Sequence, residues 1–367
     1  MKRIFSGLFL LCKWLIAGII LVEIASFLAI SLSNYWIYGQ IRDGERVNYD
    51  PYALFLEGVR PTLNNPAAPG PGAWTFWLFG GSTMRGPTAF DDRTIPSFLA
   101  RDWNREEPDR PATMVNFGQD GFNSLMETKY LQKLLIENRP PSLIVFYDGG
   151  NDSAYFAQDR TPYGHQGYER VRGMIEDYHR SLFGLLKPLN AAMWSSFTYE
   201  IYDKMRQGVF HIDPGDPELR QFADSCAQRY DYLNKLAAGF GAKFLLVYQP
   251  CWWAETEPVA ARVRAREDVV LGKKMALRDN FMVCYQALVA RLQEKPYFIN
   301  FRNILCDRKE PLYQPDGIHL LDAGSKIVAS RLEEVLKERL LAGEAPPGKP
   351  LAGRPQDFLR SEAQKKF

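Results

Sequence analysis

Only five of the 367 residues are cysteine, and no CxxC pair or HExxH run occurs. That is too few for a disulfide scaffold in a chain this long, and the usual zinc spacings are missing. Histidine is scarcer still: His165, His179, His211 and His319 are the whole supply for any chemistry that needs an imidazole. No GxxxxGK[ST] or GxGxxG run is present, which removes the common phosphate-cradling and dinucleotide loops. No long basic block accompanies the formal charge of +2, from 45 basic and 43 acidic residues, so nucleic acid is not an expected partner. What is there in quantity is core-forming material. At 46% hydrophobic, 13% aromatic and 24% charged, the composition is that of an ordinary globular protein rather than a disordered one. The length suits two domains, or one large α/β domain with appendages.

One long apolar run stands out near the N-terminus. Residues 14–33 read WLIAGIILVEIASFLAISLS, about the 20 residues a helix needs to cross a hydrocarbon layer of roughly 30 Å. Glu23 interrupts it. A charge at mid-bilayer costs about 2.5–3.5 kcal/mol, whereas the eleven Leu, Ile, Val and Phe side chains here each return about 0.3–0.6, so insertion is still favoured. A cleaved signal peptide is the competing reading, since Met1-Lys2-Arg3 makes a basic start and Ala25–Ala29 offers small residues; its apolar part should be shorter, about 7–15 residues. Lys2, Arg3 and Lys13 before the run outnumber Arg42 and Arg46 after it. The expectation is a single-pass anchor with residues 1–13 in the cytoplasm and the rest of the protein in the cell envelope. Cys226, Cys251, Cys284 and Cys306 would then lie in an oxidising space, either paired or as small buried thiols.

Residues 34–73 form a juxtamembrane segment ending in the spacer PTLNNPAAPGPGA, Pro61 to Ala73. A folded body is expected over 74–342, and a Pro-, Gly- and charge-rich tail without periodicity, expected to be disordered, over 343–367. Within the body, short apolar runs at Trp74–Phe79, Thr113–Phe117, Leu143–Tyr147, Phe244–Tyr248 and Tyr297–Phe301 read as strands covered on both faces. Helical spacing fills the intervals. Thr94 caps one helix with Pro96 in its first turn, Ser124 and Glu127 make a capping box for a second, and Leu219–Ala238, Lys274–Gln293 and Asp322–Leu341 supply further helices. Such alternation predicts an α/β fold, a parallel sheet sandwiched by helices, with function at the carboxyl ends of the strands.

Four sequence blocks fall at those ends. The first strand runs into Gly80-Gly81-Ser82-Thr83, where glycines permit a sharp turn and Ser82 would present a nucleophilic hydroxyl; a plain Gly-rich turn is the alternative. The second ends at Asn116-Phe117-Gly118 and the third at Asp148-Gly149-Gly150-Asn151-Asp152. The N–H groups of Ser82 and Gly118 and the Asn151 amide together make the donor set of an oxyanion hole, although Asn, Asp and Gly are also ordinary turn residues. After the last strand comes Asp316-Gly317-Ile318-His319, whose spacing lets a carboxylate hold Nδ1 and leave Nε2 free to take a proton from a serine.

Taken in order, these blocks resemble the SGNH hydrolase superfamily, the GDSL-type lipases and esterases, over roughly Trp74 to Leu341. The chain departs from the usual family pattern at Gly81, where an Asp normally precedes the nucleophile. The resemblance implies a flavodoxin-like three-layer α/β/α sandwich with a five-stranded parallel sheet. It also implies a serine acyl-transfer mechanism with Ser82 as nucleophile, His319 as base and Asp316 as its orienter. Ser82, Gly118 and Asn151 would form the oxyanion hole, and no metal or organic cofactor would be needed.

Substrate clues come from aromatic residues. The insertion 153–217 carries Tyr155, Phe156, Tyr163, Trp194, Phe197 and Phe210, among others, and Trp252 and Trp253 follow the fourth strand. They read either as a lid or cleft wall that stacks on sugar rings or acyl chains, or as a small local core. An anchored body in the envelope suggests an esterified glycan or lipid substrate, with O-acetyl groups on a cell-envelope polysaccharide first. An O-acyltransferase using the same triad and a non-catalytic carbohydrate-binding protein on the same fold are the alternatives.

Overall fold

The computed structural model of the chain describes residues 2–38, 48–68, 73–88, 90–181, 184, 186–206, 211–255, 276–306, 308 and 310–341. Arg42, Arg46, Phe210, the end of the spacer at 69–72, the first two residues of the helix expected from Lys274, and the tail 343–367 lie outside the described residues. In chain order the elements are α1 (Lys2–Tyr38), β1 (Asn48–Asp50), β2 (Leu54–Leu56), β3 (Trp74–Gly80), α2 (Ser82–Arg85), α3 (Ile95–Glu106), β4 (Ala112–Asn116), α4 (Ser124–Glu137), β5 (Leu143–Asp148) and α5 (Gly150–Asp159). They continue with α6 (Tyr168–Arg180), α7 (Leu186–Trp194), α8 (Phe197–Arg206), α9 (Pro217–Gly239), β6 (Lys243–Tyr248), α10 (Ala276–Leu292), β7 (Phe298–Asn300) and α11 (Asp322–Leu341).

The five expected strands form one parallel sheet in the order β4-β3-β5-β6-β7, with Trp77 of β3 opposite Val115 of β4 on one side and Ile144 of β5 on the other. β5 is buried along its whole length and β3 almost so, as befits strands with helices on both faces. α3 packs with α11, while α5 and α9 pack on α10 and α4 on α9, which gives the helical layers. Phe79 stacks on Phe117 and meets Tyr130 and Phe146 in the core between β3 and α4. The strand order reverses at β3, so the crevice at the carboxyl ends of β3 and β5 is the switch point where such sheets place ligands.

Thr94 accepts from Ser97 N at 3.3 Å with Pro96 in the first turn of α3. At α4 the cap is one residue earlier than expected: Asn123 accepts from Met126 N, and Ser124 is turned inward to Asp152. Glu127 does not reach back to the cap, because it is fully buried next to Asp148. Cys226, Cys251 and Cys284 are buried thiols, and no disulfide forms among the described cysteines. Trp252 and Trp253 are buried, with Gly317 packed against their rings, so they are packing residues and not an open stacking platform.

The chain divides into two compact units. One holds the sheet and comprises residues 46–166 and 211–367. The other joins residues 1–45 to residues 167–210, so the greater part of the aromatic insertion groups with the N-terminal segment. In this second unit α1 contains the whole 14–33 run and is long and apolar enough to cross a membrane from Ser6 to Tyr35. α1 packs on α8, and α6 packs on α7.

Candidate active site

β3 delivers the chain to the carboxyl edge of the sheet, where Gly80 and Gly81 lead into the single turn of α2 and place Ser82 at its start. Both glycines are needed for space. A Cβ at position 80 would lie 2.6 Å from Met84 Cβ, and one at position 81 would lie 2.4 Å from Asn151 Nδ2 and 3.0 Å from the Phe122 carbonyl oxygen. Thr83, the next residue, is buried and donates to Gln249 Oε1 at 2.7 Å, which ties α2 to the end of β6.

The last block is a self-stapled loop. Asp316 Oδ1 accepts the N–H groups of Ile318 and His319 at 2.9 and 3.0 Å, Gln314 N donates to the His319 carbonyl at 2.8 Å, and Gly317 takes a positive φ of 74° that a side chain would resist. Trp252 N donates to the Gly317 carbonyl at 2.9 Å, and a Cβ on Gly317 would lie 2.8 Å from Trp253 Nε1. The buried tryptophan pair therefore fixes this loop from behind. Out of it His319 projects to Ser82, with Oγ 2.7 Å from Nε2, and the Nδ1 side of the same ring is hydrogen-bonded to Asp316 Oδ2. The three side chains expected from distant parts of the sequence are thus brought together.

The electrostatics favour a base that protonates readily. Burial works against the charged imidazolium, but the hydrogen bond and charge of Asp316, with the charge of Asp120, outweigh it and raise the His319 pKa above the ordinary histidine value. Burial would raise the Asp316 pKa, yet its bonds to His319 and to two backbone N–H groups hold it below the usual carboxylate value. The loop residue Asp120, which sequence inspection passed over, is therefore part of the field at the site.

Of the three expected oxyanion donors, Asn151 lies beside Gly81 and Gly118 has its N–H engaged within its own loop. Asn151 is the second residue of α5, and its amide donates to the Phe122 carbonyl at 2.5 Å, leaving a second amide hydrogen. The Ser82 N–H has no hydrogen bond to the described residues. Gly118 is otherwise engaged: its N–H donates to Asn116 Oδ1 at 3.0 Å, and a Cβ there would meet the Arg85 backbone nitrogen at 2.3 Å, on the flank of α2. The next glycine, Gly121, has a positive φ of 70°, and its N–H has no partner among the described residues. Both glycines stand in the run NFGQDGFNS, and the second is marked by its place two residues before the Asn123 cap.

Beneath this rim lies a buried acidic group that the motifs only hinted at. Asp152 accepts from Ser124 N and Oγ at 3.1 and 2.6 Å and faces the Arg229 guanidinium at 3.6 Å, while Tyr230 donates to Asp148 at 3.0 Å. Burial beside Asp152 pushes Asp148 up to about 8, and burial beside Asp148 keeps Glu127 well above the usual carboxylate value. Among the described residues no group of three or more His, Cys, Asp or Glu side chains is arranged to hold a metal ion.

The sequence matches no family model and no curated protein. Solved structures to which the chain is similar include a lipase/acylhydrolase from Enterococcus faecalis, at 14% identity and a TM-score of 0.38, covering 72% of this chain and 96% of that one. They include the psychrotrophic esterase EstA from a Pseudoalteromonas species, at 12% identity and a TM-score of 0.39, covering 73% and 98%. They also include the acetyl xylan esterase AlAXEase, at 12% identity and a TM-score of 0.40, covering 71% and 99%.

Proposed function

We propose that the chain is a serine carboxylic ester hydrolase of the SGNH type, anchored in a membrane by α1. The observation that carries the activity is the 2.7 Å approach of Ser82 Oγ to His319 Nε2, with Asp316 bonded to the other face of the ring. In the reaction, Ser82 Oγ attacks the ester carbonyl carbon as its proton passes to Nε2. Asp316 holds the ring orientation and stabilises the imidazolium. The oxyanion is received by the N–H groups of Ser82 and Gly121 and by the Asn151 amide, with Gly121 in the place expected for Gly118. Collapse breaks the ester C–O bond, His319 protonates the departing alcohol, and an acyl group remains on Ser82. Water then attacks that acyl group, giving its proton to His319, and the acid leaves as Ser82 regains a proton. Every step uses residues already at the rim, and no cofactor enters.

For the substrate, the reading is an O-acetyl or related small ester on a cell-envelope polysaccharide. The support is the anchor: α1 is 37 residues long and apolar enough from Ser6 to Tyr35 to cross a membrane, which would tether the enzyme to the cell envelope with the rest of the chain on the extracytoplasmic side. A fluorophosphonate probe tests the activity: wild-type protein should be labelled and Ser82→Ala should not, and no labelling of either overturns the proposal. Comparing release from acetylated glycans with hydrolysis of long-chain nitrophenyl esters tests the substrate; preference for long chains would count against the glycan.

A further inference from the structure

The helical unit built on α1 contains an arrangement that an aqueous surface would not require. Along the second half of α1 the less exposed positions are Glu23, Ser26, Ile30, Ser31 and Asn34, spaced as a single stripe, while the remaining apolar side chains, such as Leu21 and Leu28, are exposed. That stripe meets the start of α8. Glu23 Oε1 accepts the Phe197 N–H at 2.6 Å, and Oε2 accepts the Thr198 N–H at 3.1 Å and the Thr198 hydroxyl at 2.8 Å. Ser26 lies 3.3 Å from Thr198 Oγ1, and Phe27 packs edge-on against Phe197 with ring centroids 5.0 Å apart.

The other two open N–H groups at the start of α8 are also supplied within the chain: Ser196 N donates to the Met193 carbonyl at 3.2 Å and Tyr199 N to Ser196 Oγ at 3.0 Å. All four donors that a helix start normally leaves to solvent are therefore satisfied without water. Such closure is obligatory in lipid and optional outside it. It also accounts for an acidic residue in the middle of an apolar run, since Glu23 finds its donors on the neighbouring helix.

α7 adds an apolar face on the same unit. Leu186, Leu189 and Met193 follow one another at helical spacing with 44%, 64% and 54% of their surfaces exposed. The polar contacts of α7 run to α6 instead, through Asn190 to Ser181 at 3.2 Å and Trp194 Nε1 to Asp177 at 2.7 Å. Lys187 at the start of α7 sits 4.0 Å over the Tyr178 ring, and Arg206 ends α8, so each helix carries a basic residue at its end away from the Ser195-Ser196 link, as suits a headgroup layer. α8 contributes exposed Tyr202 and Met205.

We infer that α7 and α8 form a lipid-facing hairpin, held to α1 by the Glu23 clamp, whose apolar stripe of Leu186, Leu189 and Met193 is covered by the same bilayer that α1 crosses. The inference rests on the anchoring part of the proposal above and is independent of the ester chemistry.

The test uses the full chain, with Cys12→Ser and Cys306→Ser, reconstituted in vesicles of phosphatidylcholine and phosphatidylglycerol that contain nitroxide-labelled lipid. An environment-sensitive fluorophore is attached in turn at Leu21→Cys on α1, Leu189→Cys on α7 and Arg172→Cys on the charged side of α6. Strong quenching at positions 21 and 189 and several-fold weaker quenching at 172 is the expected result. Quenching at 21 with none at 189 overturns the hairpin and leaves the anchor standing; no quenching at 21 removes the anchor, and the hairpin with it. Disulfide pairing between copies through Leu189→Cys in unlabelled vesicles would mean that a second chain covers the stripe, which also overturns the inference. Separately, Glu23→Leu should stay in the membrane fraction while tryptic cleavage after Arg206 rises about 2- to 30-fold, the loss expected for a helix cap. Unchanged cleavage would show that the clamp does not hold α8.

Discussion

The Asn151 side-chain amide fills the space that a side chain at position 81 would need, with Nδ2 2.4 Å from where that Cβ would be. Gly81 is therefore matched to the position of a residue 70 places later in the chain. Replacing it with Asp, the residue usual before the nucleophile in the family this chain resembles, should damage the site. We expect Gly81→Asp and Gly81→Ala to lower kcat by about 10²-fold, because losing one oxyanion donor typically costs 10²–10³. Steady-state kinetics checks this, and an unchanged kcat in Gly81→Asp would mean that Asn151 moves aside at no cost to catalysis.

The donor set can be separated from its scaffold. Asn151→Ala should lower kcat by about 10²–10³ with KM nearly unchanged, as for a group that binds only the developing oxyanion. Asn116 should behave otherwise: it holds Gly118 N–H and donates to the Met84 and Arg85 carbonyls, so Asn116→Ala should lower the melting temperature by loosening α2. A raised KM with kcat unchanged for Asn151→Ala would move the amide from the oxyanion to ground-state binding.

The pH profile of kcat/KM should reflect the raised pKa of His319. The base must be neutral, so activity should rise with pH through a midpoint above the ordinary histidine value of about 6.5. Asp120→Asn should shift that midpoint downward while leaving the triad intact, and Asp316→Asn should shift it further and cost far more rate. A midpoint unmoved in Asp120→Asn would show that this carboxylate does not act on the ring.

Stability should have its own pH signature. Asp148 and Glu127 hold protons in the folded state at pH values where the unfolded chain has lost them, so ΔG of unfolding should fall as pH rises from about 4, with the Asp148 share of that fall complete above about 8. Glu127→Gln keeps a hydrogen-bond donor toward Asp148 and removes one of these protons. Thermal melts between pH 5 and 9 should therefore show a shallower decline for the variant, and a slope identical to wild type would mean that Glu127 is already ionised in the fold.

Much of the body was legible one segment at a time. The strands at 74–80 and 143–148 announce themselves as unbroken apolar runs, because parallel strands buried on both faces have no polar side to alternate with. Asp322–Leu341 and the Thr94 cap were readable because helix limits are set by residues within a turn of the end. The part played by Gly118 is not legible in this way. Gly118 follows its strand directly, but which of two nearby glycines presents its N–H depends on Asn116, which captures the first, and on the backbone of α2, which fills the space beside it. Which of the two readings holds for Trp252 and Trp253 is decided at a distance, because nothing near them in sequence reveals that Gly317 packs against their rings.

By itself the sequence determined the alternation of strands and helices, the apolar N-terminal run and the residue types available for an acyl transfer, since each depends on neighbours a few positions apart. Tertiary structure alone decided that Ser82 meets His319 across 237 residues, that Asn151 and not a side chain at 81 fills the rim, and that Glu23 is a cap for α8. Those are contacts between segments the chain must first fold to bring together. Their distances, and the pKa values that follow from burial and neighbouring charge, have no local trace to be read.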